Sequence, residues 1–254
     1  MTVMETLGDF PGLVIVIIFA GLMIIFAAAG RNFSGRNLRE IRAFSRLRRS
    51  VGLAVEAGTR LHISLGRGGI LGPQNGSALV GLAMVDRITR AASISDRPPL
   101  TTSGDSLLSI LSQDTMRSTY RAMGVEHQYV PDSAQLTGLT PLSYAAGTMP
   151  VIRDEKVSAN VLAGHFGSEI GLLAEAGERG GSITIAGTDT LPGQAVLFAA
   201  SQEPLIGEEL FAGGAYLSAG TFHAASLRAQ DVFRWLLIAV ILVGSLARFL
   251  GFWE

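Results

Sequence analysis

Four scattered histidines, no cysteine and a set of glycine turns rich in hydroxyl and carboxylate side chains bound the chemistry open to this 254-residue chain. Without cysteine there is no disulfide, no thiolate nucleophile and no cysteine-based zinc or iron–sulfur site. His62, His127, His165 and His223 show no paired metal-ligand spacing, so no metal site is expected. Lys156 is the sole lysine, and it lies in the polar run Arg153-Asp154-Glu155-Lys156, a poor setting for a Schiff base or a phosphate-binding loop.

The turns are more informative. Gly66–Gly69 follows RLHISL, Ser103-Gly104-Asp105 follows PLTT, Gly164-His165-Phe166-Gly167-Ser168 follows ANVLA, and Gly187-Thr188-Asp189 follows SITIA. If these apolar runs are parallel strands, their carboxyl ends gather the turns on one edge, where such sheets bind ligands. Helix N-termini there would offer N–H groups to a phosphate or carboxylate. The candidate ligand-binding set is therefore Gly68, Gly69, Gly104, Asp105, Gly164, His165, Gly167, Ser168, Thr188 and Asp189.

Specific signatures are missing. No G-x-G-x-x-G opens a helix, no G-x-x-x-x-G-K-[ST] occurs, and no G-x-S-x-G elbow is present. A Ser–His–Asp set can be drawn from Ser103 or Ser168, His165, and Asp105 or Asp189, but in so serine-rich a chain some trio always can be. The plain alternative is turn punctuation, with Ser168 as a helix N-cap. Glu208 and Glu209 point about 100° apart on a helix and suit a helix dipole better than a metal pair. His62 reads as a packed, hydrogen-bonded histidine, and His223 as interfacial or capping. No catalytic residue, metal ligand or cofactor is assigned.

These turns need elements to hold them. Arg60–Leu65 alternates as a strand, with Leu61, Ile63 and Leu65 on one face and His62 and Ser64 on the other. A helix is expected over Ala78–Ala92, a short strand in PLTTSGD, and a helix over Leu107–Met123 capped by Asp105 or Ser106. Val125–Val130 is a candidate third strand, and YAAGTM a helical stretch. A strand over Ala159–Ala163, a helix over Ser168–Glu178 and a strand over Ser182–Ala186 follow. Pro192–Ala200 is ambiguous, and PLIGEELFAGGAYL reads as a helix. The alternation predicts an α/β fold, a mainly parallel Rossmann-like sheet, flanked by N- and C-terminal transmembrane helices.

The ends are apolar. Leu13–Ala29 (LVIVIIFAGLMIIFAAA) spans about 26 Å as a helix. The residues before it hold Glu5 and Asp9 and no basic residue, which argues for an uncleaved anchor over a signal peptide. Arg31–Arg49 carries seven arginines and one glutamate, placing this flank on the cytoplasmic side. Leu38, Ile41, Phe44, Leu47, Val51 and Val55 recur along one helical face and the arginines along another. Arg39, Arg42, Arg46 and Arg49 are thus expected at the membrane surface, on a helix that either lies against headgroups or packs on its own domain.

A second span, Val232–Phe252, is interrupted by Arg234 and Arg248, which can snorkel to opposite interfaces; Arg248 could instead be paired within the membrane. The organisation expected is 1–30 anchor, 31–57 basic juxtamembrane helix, 58–220 α/β domain, and 221–254 a long helix entering the second span. Residues 51–231 hold eleven basic and seventeen acidic residues, a net charge of −6. An acidic body speaks against nucleic acid as partner.

Four stretches, RLHISLGRGGILG, ANVLAGHFGSEIGLLAEAG, PLIGEELFAGGAYL and SLRAQDVFRWLLIAVILVG, in this order between two apolar ends, resemble a bacterial membrane-protein family known only as a domain of unknown function. The likeness covers most of residues 55–245. It implies two anchors around one α/β domain and brings no reaction or site residue with it. The expectation is a bacterial inner-membrane protein with a cytoplasmic domain over 31–231 and both termini outside. Its expected partners are the lipid bilayer, other copies of itself in a homo-oligomer and other membrane subunits. The leading function is a non-enzymatic scaffold or assembly subunit. The alternatives are a sensor or enzyme binding a small anionic nucleotide or metabolite at the strand ends, and an accessory subunit for transport.

Overall fold

The computed structural model describes residues 3–29, 39–217 and 220–250. The chain forms two compact units, one of residues 1–38 with 220–254 and one of 39–219.

The first unit holds the two terminal helices, α1 (Val3–Ala29) and α9 (Thr221–Phe249), which pack on each other with the Phe19 and Phe233 rings 5.8 Å apart. Both are long and apolar enough to cross a membrane, with mean hydropathy 2.9 and 1.9 in the most apolar 18-residue stretch of Pro11–Ala29 and of Thr221–Phe249. The expected continuous helix from Thr221 is present. Arg234 lies 3.4 Å from Asp231, one turn before it, and Arg248 is exposed without an ion pair among the described residues.

In the second unit the chain runs α2 (Arg42–Ala57), β1 (Arg60–Gly66), α3 (Asn75–Ala91), β2 (Leu100–Ser103), α4 (Ser106–Ala122), β3 (Ala134–Leu136), α5 (Pro141–Asp154), β4 (Val157–His165), α6 (Ile170–Arg179), β5 (Ile183–Thr188), α7 (Leu191–Ala200), β6 (Glu203–Leu205) and α8 (Gly213–Tyr216). The six strands form one fully parallel sheet in the order β3-β2-β1-β4-β5-β6, that of doubly wound Rossmann-type folds.

Strand alternation separates the two faces. Leu61, Ile63 and Leu65 join Val161, Ala163 and Ile185 in a core closed by α2, α3 and α4. Gly81 lets α3 lie close over β4, since a Cβ there would sit 2.7 Å from the Ala163 carbonyl oxygen. On the other face Leu162, Ala186 and Phe166 pack under α5, α6 and α7.

That second face also buries a polar network. His62 Nδ1 lies 2.7 Å from Asn160 Oδ1, and its Nε2 lies 2.9 Å from Thr102 Oγ1. Asn160 Nδ2 donates to the Leu173 carbonyl oxygen, so Oδ1 faces the ring and accepts from Nδ1–H. Nε2 then accepts from the Thr102 hydroxyl. Full burial lowers the His62 pKa to about 4, against the opposing pull of Asn160, and the ring is neutral near pH 7. This is the packed, hydrogen-bonded histidine expected from the strand pattern.

Two expected elements differ. Val125–Val130 forms no strand: Glu126–Gln128 is a 3-10 turn, and the third strand lies at Ala134–Leu136. Gly124 turns the chain at φ +75°, and Glu126 is drawn to Arg121 at 2.8 Å. PLIGEELFAGGAYL is not one helix either. It supplies edge strand β6, a 3-10 turn at Gly207–Glu209 and the short α8, because Gly207 adopts φ +63° and ends any continuous run. The ambiguous run Pro192–Ala200 is helical in α7, capped by the Thr190 hydroxyl accepting from the Gly193 amide.

Candidate functional site

Strand order reverses between β1 and β4, so the crevice of a doubly wound sheet opens where Gly66 and His165 end those strands. The glycine turns named from the sequence do converge at the carboxyl ends of β1, β2, β4 and β5. What they converge on is largely one another. A Cβ on Gly164 would meet the Leu65 carbonyl oxygen at 2.0 Å, and one on Gly68 would meet His165 Cβ at 2.6 Å. A Cβ on Gly104 would meet Arg67 Cγ at 2.4 Å, while Gly69 is in ordinary contact range of the Asp105 carboxylate, at 3.5 Å.

Some of their main-chain donors are occupied in the same way. The Arg67 amide donates to the His165 carbonyl oxygen at 2.9 Å, and the Gly104 amide to the Gly66 carbonyl oxygen at 2.8 Å. Phe166 N–H donates to Thr188 Oγ1 at 3.0 Å, and the Thr188 hydroxyl in turn donates to the Phe166 carbonyl oxygen at 2.9 Å.

Of the helix N-termini at this edge, α4 and α7 carry side-chain caps of the chain's own, whereas α3 and α6 carry none. Asp105 Oδ1 accepts from Leu108 N–H at 2.8 Å and caps α4, as the sequence suggests. At α6 the cap differs from the expectation. Ser168 is exposed and makes no side-chain cap; the N-cap position is Glu169. The Glu169 side chain, 4% exposed, turns back to accept from the Gly167 amide and its own, and from Arg67 Nε at 3.1 Å. Burial by itself would raise this carboxyl, but those hydrogen bonds and the guanidinium outweigh it and hold it below the usual carboxylate range. Gly167 makes the room, since a Cβ there would lie 2.6 Å from Glu169 Oε2. A carboxylate of the chain thus sits where an incoming anion would meet α6.

One pair is more open. His165 Nδ1 is 2.8 Å from Asp189 Oδ1, and Ser77 donates to Asp189 Oδ2 at 2.8 Å. A carboxylate only accepts, so Nδ1 donates in this bond. His165 is about a quarter exposed, and Nε2 has no hydrogen-bond partner among the described residues. Neither Ser103 nor Ser168 hydrogen-bonds to it; Ser103 donates to the Asp105 carbonyl oxygen. Ser77, Arg67 and Glu169 were not singled out in the sequence, although Arg67 lies inside the GRGG turn and Glu169 directly follows GHFGS.

Elsewhere, Glu209 pairs with Arg39 at 2.8 Å, while Lys156 and His127 are exposed and His223 lies exposed in α9. Among the described residues no group of three or more histidine and carboxylate side chains has the arrangement of a metal site. The basic helix spends its apolar face on the domain, with Phe44, Leu47 and Val51 in the core, and Phe44 stacks on Tyr216 at 5.0 Å. Arg46 pairs with Glu203 at 2.7 Å; Arg42 and Arg49 make no ion pair among the described residues.

The family model described as "Domain of unknown function (DUF6754)" matches residues 5–253. The chain belongs to this family. The match takes in both apolar helices and the whole α/β domain, so the resemblance carried by the four stretches extends along nearly the entire chain. No curated protein and no solved structure matches it.

Proposed function

We propose that this protein is a non-enzymatic scaffold or assembly subunit, held in a bacterial inner membrane by α1 and α9, that forms a homo-oligomer through its α/β domain. The observation that supports it best is the self-filled carboxyl edge. Glu169, paired with Arg67, lies just ahead of α6, Asp105 caps α4 and Thr190 caps α7, so much of the edge is built as a packed junction, while α3 carries no side-chain cap. In this reading the domain is cytoplasmic and both termini lie outside, following the arginines of 31–49. Two anchors hold copies in one plane and raise their effective concentration for lateral contact. Other membrane subunits would join the same assembly.

Native mass spectrometry of the full-length protein released from mild detergent tests this. A multimer without added mass is the expected result; a stoichiometric small molecule or a strict monomer overturns it. The Asp189-held His165, with its open Nε2, favours the second reading, a sensor or enzyme for a small anionic ligand. Loss of a co-purifying small molecule in His165→Ala and Asp189→Ala is the result that would establish that alternative.

A further inference from the structure

Leu47 and Val51 of α2, Ile88 and Ala91 of α3, and Leu217 line a mainly apolar groove of about 210 Å³, with Arg48 and Arg87 also in its wall. Its size is below the roughly 300–1,000 Å³ of pockets that enclose a whole small ligand, and it suits a stretch of hydrocarbon chain. The charge around it is not uniform. Domain carboxylates neutralise Arg39 and Arg46, whereas Arg42, Arg48 and Arg49 make no ion pair among the described residues. Arg48 is the one of these three that lines the groove. Two of the lining segments, α2 and Leu217, lie in the stretches of sequence that join the domain to the apolar helices. Arg31–Arg49 follows the apolar stretch ending at Ala29 after one intervening residue, and Leu217 precedes Thr221, the start of α9, by four positions.

We propose that this groove binds an anionic phospholipid, with an acyl segment lying on Ala91 and Leu217 above the buried Leu47, Val51 and Ile88, and the headgroup phosphate at Arg48. The chemistry matches on both counts, apolar wall to hydrocarbon and uncompensated guanidinium to phosphate. The site rests on the membrane-anchored reading above and adds to it a lipid selectivity.

The test uses full-length protein in mild detergent, offered phosphatidylglycerol, phosphatidylcholine or inorganic phosphate, with retained lipid counted by native mass spectrometry. Phosphatidylglycerol should be retained about fivefold better than phosphatidylcholine, the advantage one well-placed arginine provides. Arg48→Gln should erase that preference without shifting the unfolding temperature, because Arg48 is exposed. Leu217→Trp, which fills the groove, should lower retention of both lipids.

Equal retention of the two lipids overturns the proposal. So does a preference that survives Arg48→Gln, or full displacement by inorganic phosphate, which would mean that the hydrocarbon wall does nothing. A multimer that Leu217→Trp dissociates whatever the lipid would assign the groove to a second copy, and also overturns it. Carbonate extraction of membranes separates the two readings. Release of the protein sinks membrane anchoring itself, whereas an integral protein with no lipid preference sinks this site alone.

Discussion

The carboxyl edge of the sheet and the groove between α2 and α3 differ in an instructive way. The edge holds nearly every residue type that a sequence reader associates with chemistry: glycine turns, a histidine, aspartates and helix N-termini. Yet several of its donors are consumed internally, by Glu169, by Asp105 and by the Gly66, His165 and Phe166 carbonyls. The groove holds no chemical motif, only aliphatic side chains and arginines, but one of those arginines has no carboxylate partner among the described residues. Residue type marks where a ligand could bind. Whether the donors are still vacant decides whether it can.

Three substitutions probe that contrast in the full-length protein in mild detergent. The largest effect belongs to the tight main-chain contact of the edge. Gly164→Ala places a methyl where the Leu65 carbonyl oxygen already lies, and no flexible side chain can yield. A loss of about 4 kcal/mol, or failure to fold, is expected from thermal unfolding. Wild-type stability in that variant would show that β1 and β4 can separate there, and that the crevice is less closed than it looks.

The next effect comes from the buried network on the opposite side of the strand. The His62 pKa falls from 6.5 to about 4 on folding. The unfolded chain therefore binds a proton first as pH drops, and stability is lost between about pH 6.5 and 4, then levels off as the folded form protonates too. At 1.36 kcal/mol for each unit the loss is about 3 kcal/mol. His62→Gln should flatten that part of the pH profile, whatever its effect at pH 7; an unchanged slope would mean that another group carries it.

The smallest effect is the most telling for the edge. Glu169→Ala removes the carboxylate from the α6 terminus and leaves Arg67 without its partner, at a cost of about 2 kcal/mol. The vacated donors should then accept sulfate. Added sulfate is expected to raise the unfolding temperature of the variant by a few degrees more than that of wild type. Equal responses would mean that the edge is not an anion cradle even when emptied.

Much of the fold was legible because it rests on local patterns. Leu61, Ile63 and Leu65 alternate with His62 and Ser64, and a two-residue period admits one reading. Asp105 could be named as a cap because capping reaches only three residues along the chain. Val125–Val130 misled for the complementary reason. Its apolar residues suit a strand, but Gly124 turns the chain at φ +75° and the place beside β2 is taken by Ala134–Leu136.

The sequence by itself determined the two apolar ends, the parallel α/β class and the gathering of glycine turns on one edge, since hydropathy and side-chain period act over a few residues. Tertiary structure alone decided what those turns touch. It brought Glu169 to Arg67, Asp189 to His165 and Ser77, Glu209 to Arg39, and α2 onto the sheet, because hydrogen bonds and packing even between residues 170 positions apart are set by distance in space.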